Sequence, residues 1–407
     1  MGCRICTRCG KCGNVPAVPI REDGEAALPV LVPREGLGAA VDLGTTTVVT
    51  RVYDLADGRL VRQSSDLNPQ RTVAADVMGR ISAAQDGRLA ELRDQARTAV
   101  RTGLGGLDVA EAVVVGNTTM LHLLVGADPS SFATAPFRAD RLFGEALSYP
   151  QRPRCAALPS QRVRSAPRGE DAAGTVCVRL PRCAHAFFGA DAVASVRMSG
   201  MCERGGCELL ADIGTNGELA LWRGDRNELT VTSVAAGPAF ERPGRTGSEI
   251  IAAVADGLES GAIDETGLVV GELRGGLTQD DVRAVQLAKA AVSAGIKTLL
   301  AVTETALADI ARFSLAGGFG SGLDPRKAAR IGLFPSELEP VVRVCGNLAI
   351  EGAAAALFDP AFGDETDSLA RRARPLELGG NADFADAFVS AMSFAVSRHS
   401  VNRVSAV

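Results

Sequence analysis

What the chain lacks narrows it first. Its 407 residues hold 43 Lys and Arg against 48 Asp and Glu, a formal net charge of −5. No Lys/Arg cluster builds a basic face, so a nucleic-acid partner is not expected. The Arg-rich stretch from Gln151 to Arg168 comes nearest, but its three prolines mark a solvated loop. No apolar run approaches the roughly 20 residues of a bilayer span, so no membrane role is expected. The N-terminus shows no secretory hydrophobic region, and a cytoplasmic location is the expectation. No segment is low enough in complexity to force disorder on the chain. Apolar residues make up 46% of it, enough for sizeable cores, and the length calls for two to three domains.

Cysteine is unevenly spread. Four of the ten lie in the first twelve residues, Cys3, Cys6, Cys9 and Cys12, each two residues from the next. In a reducing compartment that distribution points to a metal site instead of disulfides. Thiolates at such spacing wrap an iron–sulfur cluster, either 4Fe–4S or 2Fe–2S. Tetrahedral zinc is the ordinary alternative, and a vestigial segment the third. This Cys-rich segment, 1–14, has no core of its own. Residues 15–37, with four prolines and mixed charge, read as a linker.

The rest of the chain is organised around a repeated motif. Ala39-Ala-Val-Asp42-Leu-Gly44-Thr45-Thr46-Thr47 is an apolar run ending in Asp, then a Gly and hydroxyl turn, then the β-rich run Val48–Tyr53. Leu209-Leu-Ala-Asp212-Ile-Gly214-Thr215-Asn216-Gly217 repeats it before Glu218–Trp222. Each reads as strand, tight turn and returning strand. Glycine admits close backbone approach, turn N–H groups with Thr hydroxyls cradle phosphate oxygens, and a strand-end Asp faces the accompanying metal. Two unrelated hairpins are the bland alternative, but recurrence in the same context argues against chance. The two copies open two lobes, 38–205 and 206–407, and are expected to face one cleft.

Around these hairpins, helices are expected at about 74–84, 88–103, 120–125, 282–294, 348–357 and 383–394, and a buried strand at Glu111–Val115. Gly116-Asn117-Thr-Thr119 follows that strand just before a helix. There Asn117 either joins an anion site or caps the helix, and the two readings are compatible. His122 inside that helix reads as packing, and Asp191 as a first-turn acid. Ala235-Ala-Gly237-Pro is a small-residue turn open to a ligand. Gly317-Gly318-Phe319-Gly320 ends a strand in a glycine turn on which a nucleoside could lie against bare backbone.

Two Asp-bearing hairpins and a late Gly-Gly turn, in that order, resemble the actin-like ATPase superfamily. The implied fold is α/β, a two-lobed actin-like (ribonuclease-H-like) ATPase preceded by a short Cys-rich segment. Finer motifs, Asn68-Pro-Gln70, Asp76-Val-Met-Gly-Arg-Ile81, Gly116–Leu124, Asp212–Glu218, Ala235–Glu241, Leu277–Arg283, Gln286–Ala291 and Gly317–Leu323, resemble the reductive activators of corrinoid proteins over about residues 38–396. That family uses ATP to reduce cob(II)alamin to cob(I)alamin in a methyltransferase system. The resemblance implies ATP and Mg²⁺ at Asp42, Thr45, Thr46, Asp212, Thr215 and Asn216, and adenosine contacts at Gly317, Gly318 and Lys289. Asp42, Asp212 and Asn117 are the catalytic candidates. Gly44, Thr47, Gly214, Gly217, Gly237, Phe319 and Gly320 complete the nucleotide set. The implied partners are a corrinoid protein and an external ferredoxin-type reductant, with a homodimer as a candidate assembly.

Two departures stand out. The well-understood relatives carry a full 2Fe–2S ferredoxin domain, where this chain has only the Cys run. After Ala-Phe-Glu241 the family continues with Gly and then Gly-Met, where this chain has Arg242-Pro-Gly-Arg-Thr-Gly-Ser248. A small-molecule kinase of the same fold and a non-redox nucleotide-binding regulator are the competing classes. The kinase needs a positioned base for its acceptor hydroxyl, and none is assignable.

Overall fold

The computed structural model describes residues 29–150, 161–162, 175–240, 245–318 and 322–394. Cys3, Cys6, Cys9, Cys12, Phe319 and Gly320 lie outside the described residues. In chain order the main strands are β1 (Leu37–Leu43), β2 (Thr47–Asp54), β3 (Leu60–Leu67), β4 (Val109–Gly116), β5 (Glu145–Pro150), β6 (Gln161–Arg162), β7 (Thr175–Leu180), β8 (Cys207–Ile213), β9 (Gly217–Arg223), β10 (Glu228–Val234), β11 (Ile310–Gly317) and β12 (Val342–Gly346). The helices are α1 (Val77–Ala83), α2 (Leu89–Leu104), α3 (Thr118–Val125), α4 (Ala190–Ser199), α5 (Gly247–Ser260), α6 (Gln279–Val302), α7 (Pro325–Arg330), α8 (Leu348–Phe358), α9 (Pro360–Arg372) and α10 (Ala382–Ser390).

Two compact units result. The first joins Met1–Arg204 to Asn347–Pro375, and the second joins Gly205–Gly346 to Leu376–Val407. The first unit's sheet runs β3-β2-β1-β4-β7-β5-β6. Strands β1, β2 and β3 form an antiparallel meander, and β4 and β7 add in parallel beyond β1. The second unit's main strands run β12-β11-β8-β9-β10. Here β8, β9 and β10 are the meander, with β11 and β12 added in parallel. The two units therefore repeat one topology, three antiparallel strands followed by two parallel ones. Strand β1 shows why the apolar run is unbroken: Ala39, Ala40, Val41 and Leu43 are all fully buried, as expected of a strand covered on both faces.

The continuous second lobe expected over 206–407 is not what the contacts give. Residues 347–375 return to the first unit because α8, Leu348-Ala-Ile-Glu-Gly-Ala-Ala-Ala-Ala-Leu-Phe358, is apolar nearly all round and packs on β1, β4 and α4. A helix buried on every side needs such company. Helix α6 also differs from expectation. It continues from Gln279 to Val302 as one element, started by a capping box between Thr278 and Asp281. Gly295 does not interrupt it, because a Cβ there would meet Leu219 Cδ1 at 2.6 Å and Val234 Cγ1 at 2.8 Å. The helix needs a bare position to sit on β9 and β10. Among the described residues α6 is the one helix long and apolar enough to cross a membrane, and 78% of its apolar window is buried. It is the central helix of the second unit's core.

The α4–α8 contact is equally close. A Cβ on Gly352 would stand 2.8 Å from Ala194 O and 2.9 Å from Ala194 Cβ. Gly352→Val is therefore expected to push the helices apart and destabilise the chain by about 1–3 kcal/mol, the usual cost of overpacking. Urea denaturation checks this; a midpoint equal to the parent's would contradict the packing.

Candidate functional site

In the first unit, β1 carries Asp42 to the sheet's end, in register with Val115, while Leu43 pairs with Gly116. Gly44 closes the turn, since a Cβ there would lie 2.5 Å from Thr47 O. Thr45 is buried, while Asp42, Thr46 and Thr47 are half-buried. Two Asn residues brace the turn from neighbouring helix starts. Asn117 Oδ1 accepts from Met120 N at 2.9 Å, capping α3, and its Nδ2 donates to Thr45 Oγ1 at 2.9 Å. Asn347 Oδ1 accepts from Ile350 N, capping α8, and its Nδ2 donates to Asp42 Oδ2 at 2.9 Å. Asp191 sits in the first turn of α4. Gly189, just before it, lets that turn approach, since a Cβ there would meet Asn117 Cα at 2.4 Å.

Below the turn lies a polar network with no solvent exposure, formed by Asn68, Gln70 and Arg80. Asn68 Nδ2 donates to Gly44 O at 2.9 Å, and Asn68 N to Thr46 O at 2.8 Å. Arg80 Nη2 donates to Thr45 O at 2.6 Å, Nη1 to Gln70 Oε1 at 3.0 Å, and Nε to Ala74 O at 3.2 Å. Burial lowers the Arg80 pKa to about 10, partly offset by Asp76, so the guanidinium stays charged at neutral pH.

The second unit repeats the frame. Asp212 is half-buried at the end of β8, in register with Glu218 of β9 and Ala316 of β11. The turn closes through Gly214 N to Asn216 O at 2.8 Å, with Thr215 buried. Gly217 starts β9, where a Cβ would meet Val234 Cγ2 at 2.9 Å. Gly317 has φ +113°, and a Cβ on it would strike Ile213 O at 2.2 Å. Gly318 N then donates to the same Ile213 O at 3.1 Å. Asp212, the 214–217 turn and Gly317–Gly318 thus meet at one end of this sheet. Gly237, with φ +71°, follows β10 at that end, because Val234 pairs with Gly217.

Lys289 is committed elsewhere. It is 2% exposed, donates from Nζ to Ser393 O at 2.5 Å, and lies 4.9 Å from the Phe394 ring centroid. Its neighbour Gln286 donates to Met392 O and Thr266 O. A cavity of about 700 Å³ opens beside the C-terminal half of α6, lined by Ser293, Lys297, Arg326, Arg330 and Phe334 among others. Among the described residues, none of those assigned above to nucleotide lines it. His122 is a core residue, as its sequence context implied: Nδ1 lies 2.8 Å from Thr118 O, and the ring packs between Phe132 and Phe143.

Sequence reasoning assigned no role to Asn347, Asn68 or Arg80. A signal for Asn347 was present, since Gly346-Asn347 before an apolar helix repeats Gly116-Asn117. Arg80 lies within the family-like stretch Asp76–Ile81, but its local context pointed to no role: a charged residue three positions inside a short helix reads as solvated.

Two sheets of one topology, each opening on a hairpin whose turn carries Asp-x-Gly-Thr, define an actin-like nucleotide-binding fold. The chain belongs to the RACo family. Residues 37–204 match the RACo middle region, and residues 206–245 and 274–405 match the C-terminal domain of RACo, the ASKHA domain. It is similar to the corrinoid activation enzyme RamQ of Eubacterium limosum, 28% identical, over 86% of this chain and 69% of that protein. It is also similar in structure to a reductive activator for corrinoid, iron–sulfur protein, with TM-score 0.77 and 26% identity, over 89% of this chain and 67% of the other.

Burial lowers the Lys289 pKa from its ordinary value to about 8. Between about pH 8 and the unfolded value of ~10.4, the unfolded chain holds a proton that the folded chain has released. This group therefore makes stability rise with pH across that window and adds no slope below it. The stability of the parent relative to Lys289→Met is expected to rise by up to about 1.4 kcal/mol per pH unit there. Urea midpoints at pH 7.5, 8.5 and 9.5 measure it; a flat difference would mean a solvated ammonium.

Proposed function

We propose that the chain is an ATP-dependent reductive activator of corrinoid proteins, coupling ATP binding and hydrolysis to reduction of cob(II)alamin to cob(I)alamin in a methyltransferase system. The observation that carries the reading is the duplicated turn, with Asp42 and Asp212 each at a sheet end beside a Gly-Thr pair. Family membership supplies the redox partner. The cob(II)/cob(I) step lies far below ordinary donors in potential, so an energy source must bias it. Nucleotide does this only through different affinities for two states of the activator or its complex.

The residues suit such a ligand. Gly44 and Gly317 occupy positions where any Cβ would collide with backbone, so each turn is bare main chain at that point. Turn N–H groups bind phosphate oxygens, and half-buried carboxylates at strand ends are hard oxygen donors of the kind Mg²⁺ takes. We assign Asp42, Thr45 and Thr46 in one turn, and Asp212, Thr215 and Asn216 in the other, to ATP and Mg²⁺. Gly317 and Gly318 are assigned to the adenosine. Bound Mg²⁺ would neutralise phosphate charge. Asn117 and Asn347 hold Thr45 and Asp42 in place for it.

Asp42→Ala or Asp212→Ala is expected to abolish ATP hydrolysis while the unfolding transition stays cooperative. Parental turnover in both variants would remove the nucleotide assignment. We further assign Cys3, Cys6, Cys9 and Cys12 to an iron–sulfur cluster that passes electrons from a ferredoxin-type donor to the corrinoid protein. Replacing Cys9 and Cys12 by Ser should then bleach the visible and EPR spectra of anaerobically purified protein and stop activation, leaving ATP binding intact. Undiminished activation by the double variant would overturn the relay but not the ATPase assignment.

A further inference from the structure

We propose that Arg80 is a positioning residue that sets the first turn in its phosphate-receiving form and makes that turn selective for the more highly phosphorylated nucleotide. The inference rests on the nucleotide reading above. Three consecutive carbonyls of the turn, those of Gly44, Thr45 and Thr46, are all drawn into the buried network, two by Asn68 and the middle one by Arg80. In a planar trans peptide the N–H points opposite to the preceding C=O. Each of these hydrogen bonds therefore turns the next N–H, on Thr45, Thr46 and Thr47, away from the network. Successive N–H groups turned one way form an anion-binding concavity.

Holding a carbonyl needs only a neutral donor, as Asn68 shows twice. At Thr45 the chain instead buries a guanidinium, whose partners are Thr45 O, Ala74 O, Gln70 Oε1 and, at 3.0 Å, the Met120 sulfur. All are neutral. Asp76 contributes a favourable field, but its carboxylate caps α1 through Gly79 N. A cation whose hydrogen-bond partners are all neutral, in a medium that screens poorly, keeps its field on the atoms next to it. That field falls on the turn, and it favours an arriving ligand in proportion to its negative charge.

Arg80→Met and Arg80→Lys test this in the full-length chain, by titrating ATP and AMP in the presence of Mg²⁺. The parent is expected to prefer ATP. Arg80→Met should cut that preference at least tenfold while AMP affinity stays within about twofold. Arg80→Lys, which keeps the charge but not the fork of donors, should lose about three- to tenfold. A merely structural strut would weaken ATP and AMP together, and that result overturns the inference. An unchanged preference in Arg80→Met does the same. If Arg80→Met yields no folded protein, Arg80→Lys decides alone, and a preference equal to the parent's overturns the inference. A parent that binds neither nucleotide overturns the underlying reading; one that binds both equally overturns only the role of Arg80.

Discussion

The parallel pairing of β1 with β4, and of β8 with β11, governs what each unit presents at its sheet end. Antiparallel hairpins alone would leave the Asp-bearing turn beside only its own returning strand. Adding a parallel neighbour aligns the strand's last residues with a second segment that turns away at the same level. In the first unit Leu43 lies level with Gly116, so the Gly-Asn cap of α3 reaches Thr45. In the second, Ile213 lies level with Gly317, whose close approach to the Ile213 carbonyl leaves no room for a side chain. One topology therefore juxtaposes an Asp-x-Gly-Thr turn with a helix cap in one copy and with a glycine turn in the other.

How much of this could be read from residues alone depended on range. The hairpins were legible because everything that makes them is local: a short apolar run, then Asp, Gly and hydroxyl or amide side chains within nine positions. The Gly-Gly turn at 317 was legible for the same reason. Residues 347–375 were misplaced because nothing in their own pattern says which sheet an all-apolar helix will cover. That choice is made by β1, β4 and α4, all of which end before residue 200, far earlier in the chain. Lys289 marks a similar limit. Its spacing on α6 is visible, but the carbonyl of Ser393 that occupies it lies 104 residues away.

The helix caps form an intermediate case. Asn117 was readable as a helix cap and as a member of an anion site, two compatible readings. The structure shows the cap, with Oδ1 accepting from Met120 N, and the amide keeps a donor for Thr45. Asn347 repeats the arrangement on Asp42. Capping by Asn instead of Asp matters here. A carboxylate cap would satisfy the helix equally well, but it would offer no donor and would set a second negative charge beside Asp42 and its turn.

The two buried cations show why one position is arginine and the other lysine. Desolvation lowers both, yet Arg80 falls only to about 10 and Lys289 to about 8. Arginine thus keeps its charge across the physiological range, while lysine is brought near its titration. The guanidinium also spreads its donors over four separate acceptors in fixed directions, which a single ammonium cannot match. A site that must hold backbone carbonyls and supply a constant charge is served by the first. A site where a terminal segment docks on one carbonyl contact and one aromatic face, with no need for a permanent charge, is served by the second. The chemistry of the side chain, more than its sign, decides which burial each unit tolerates.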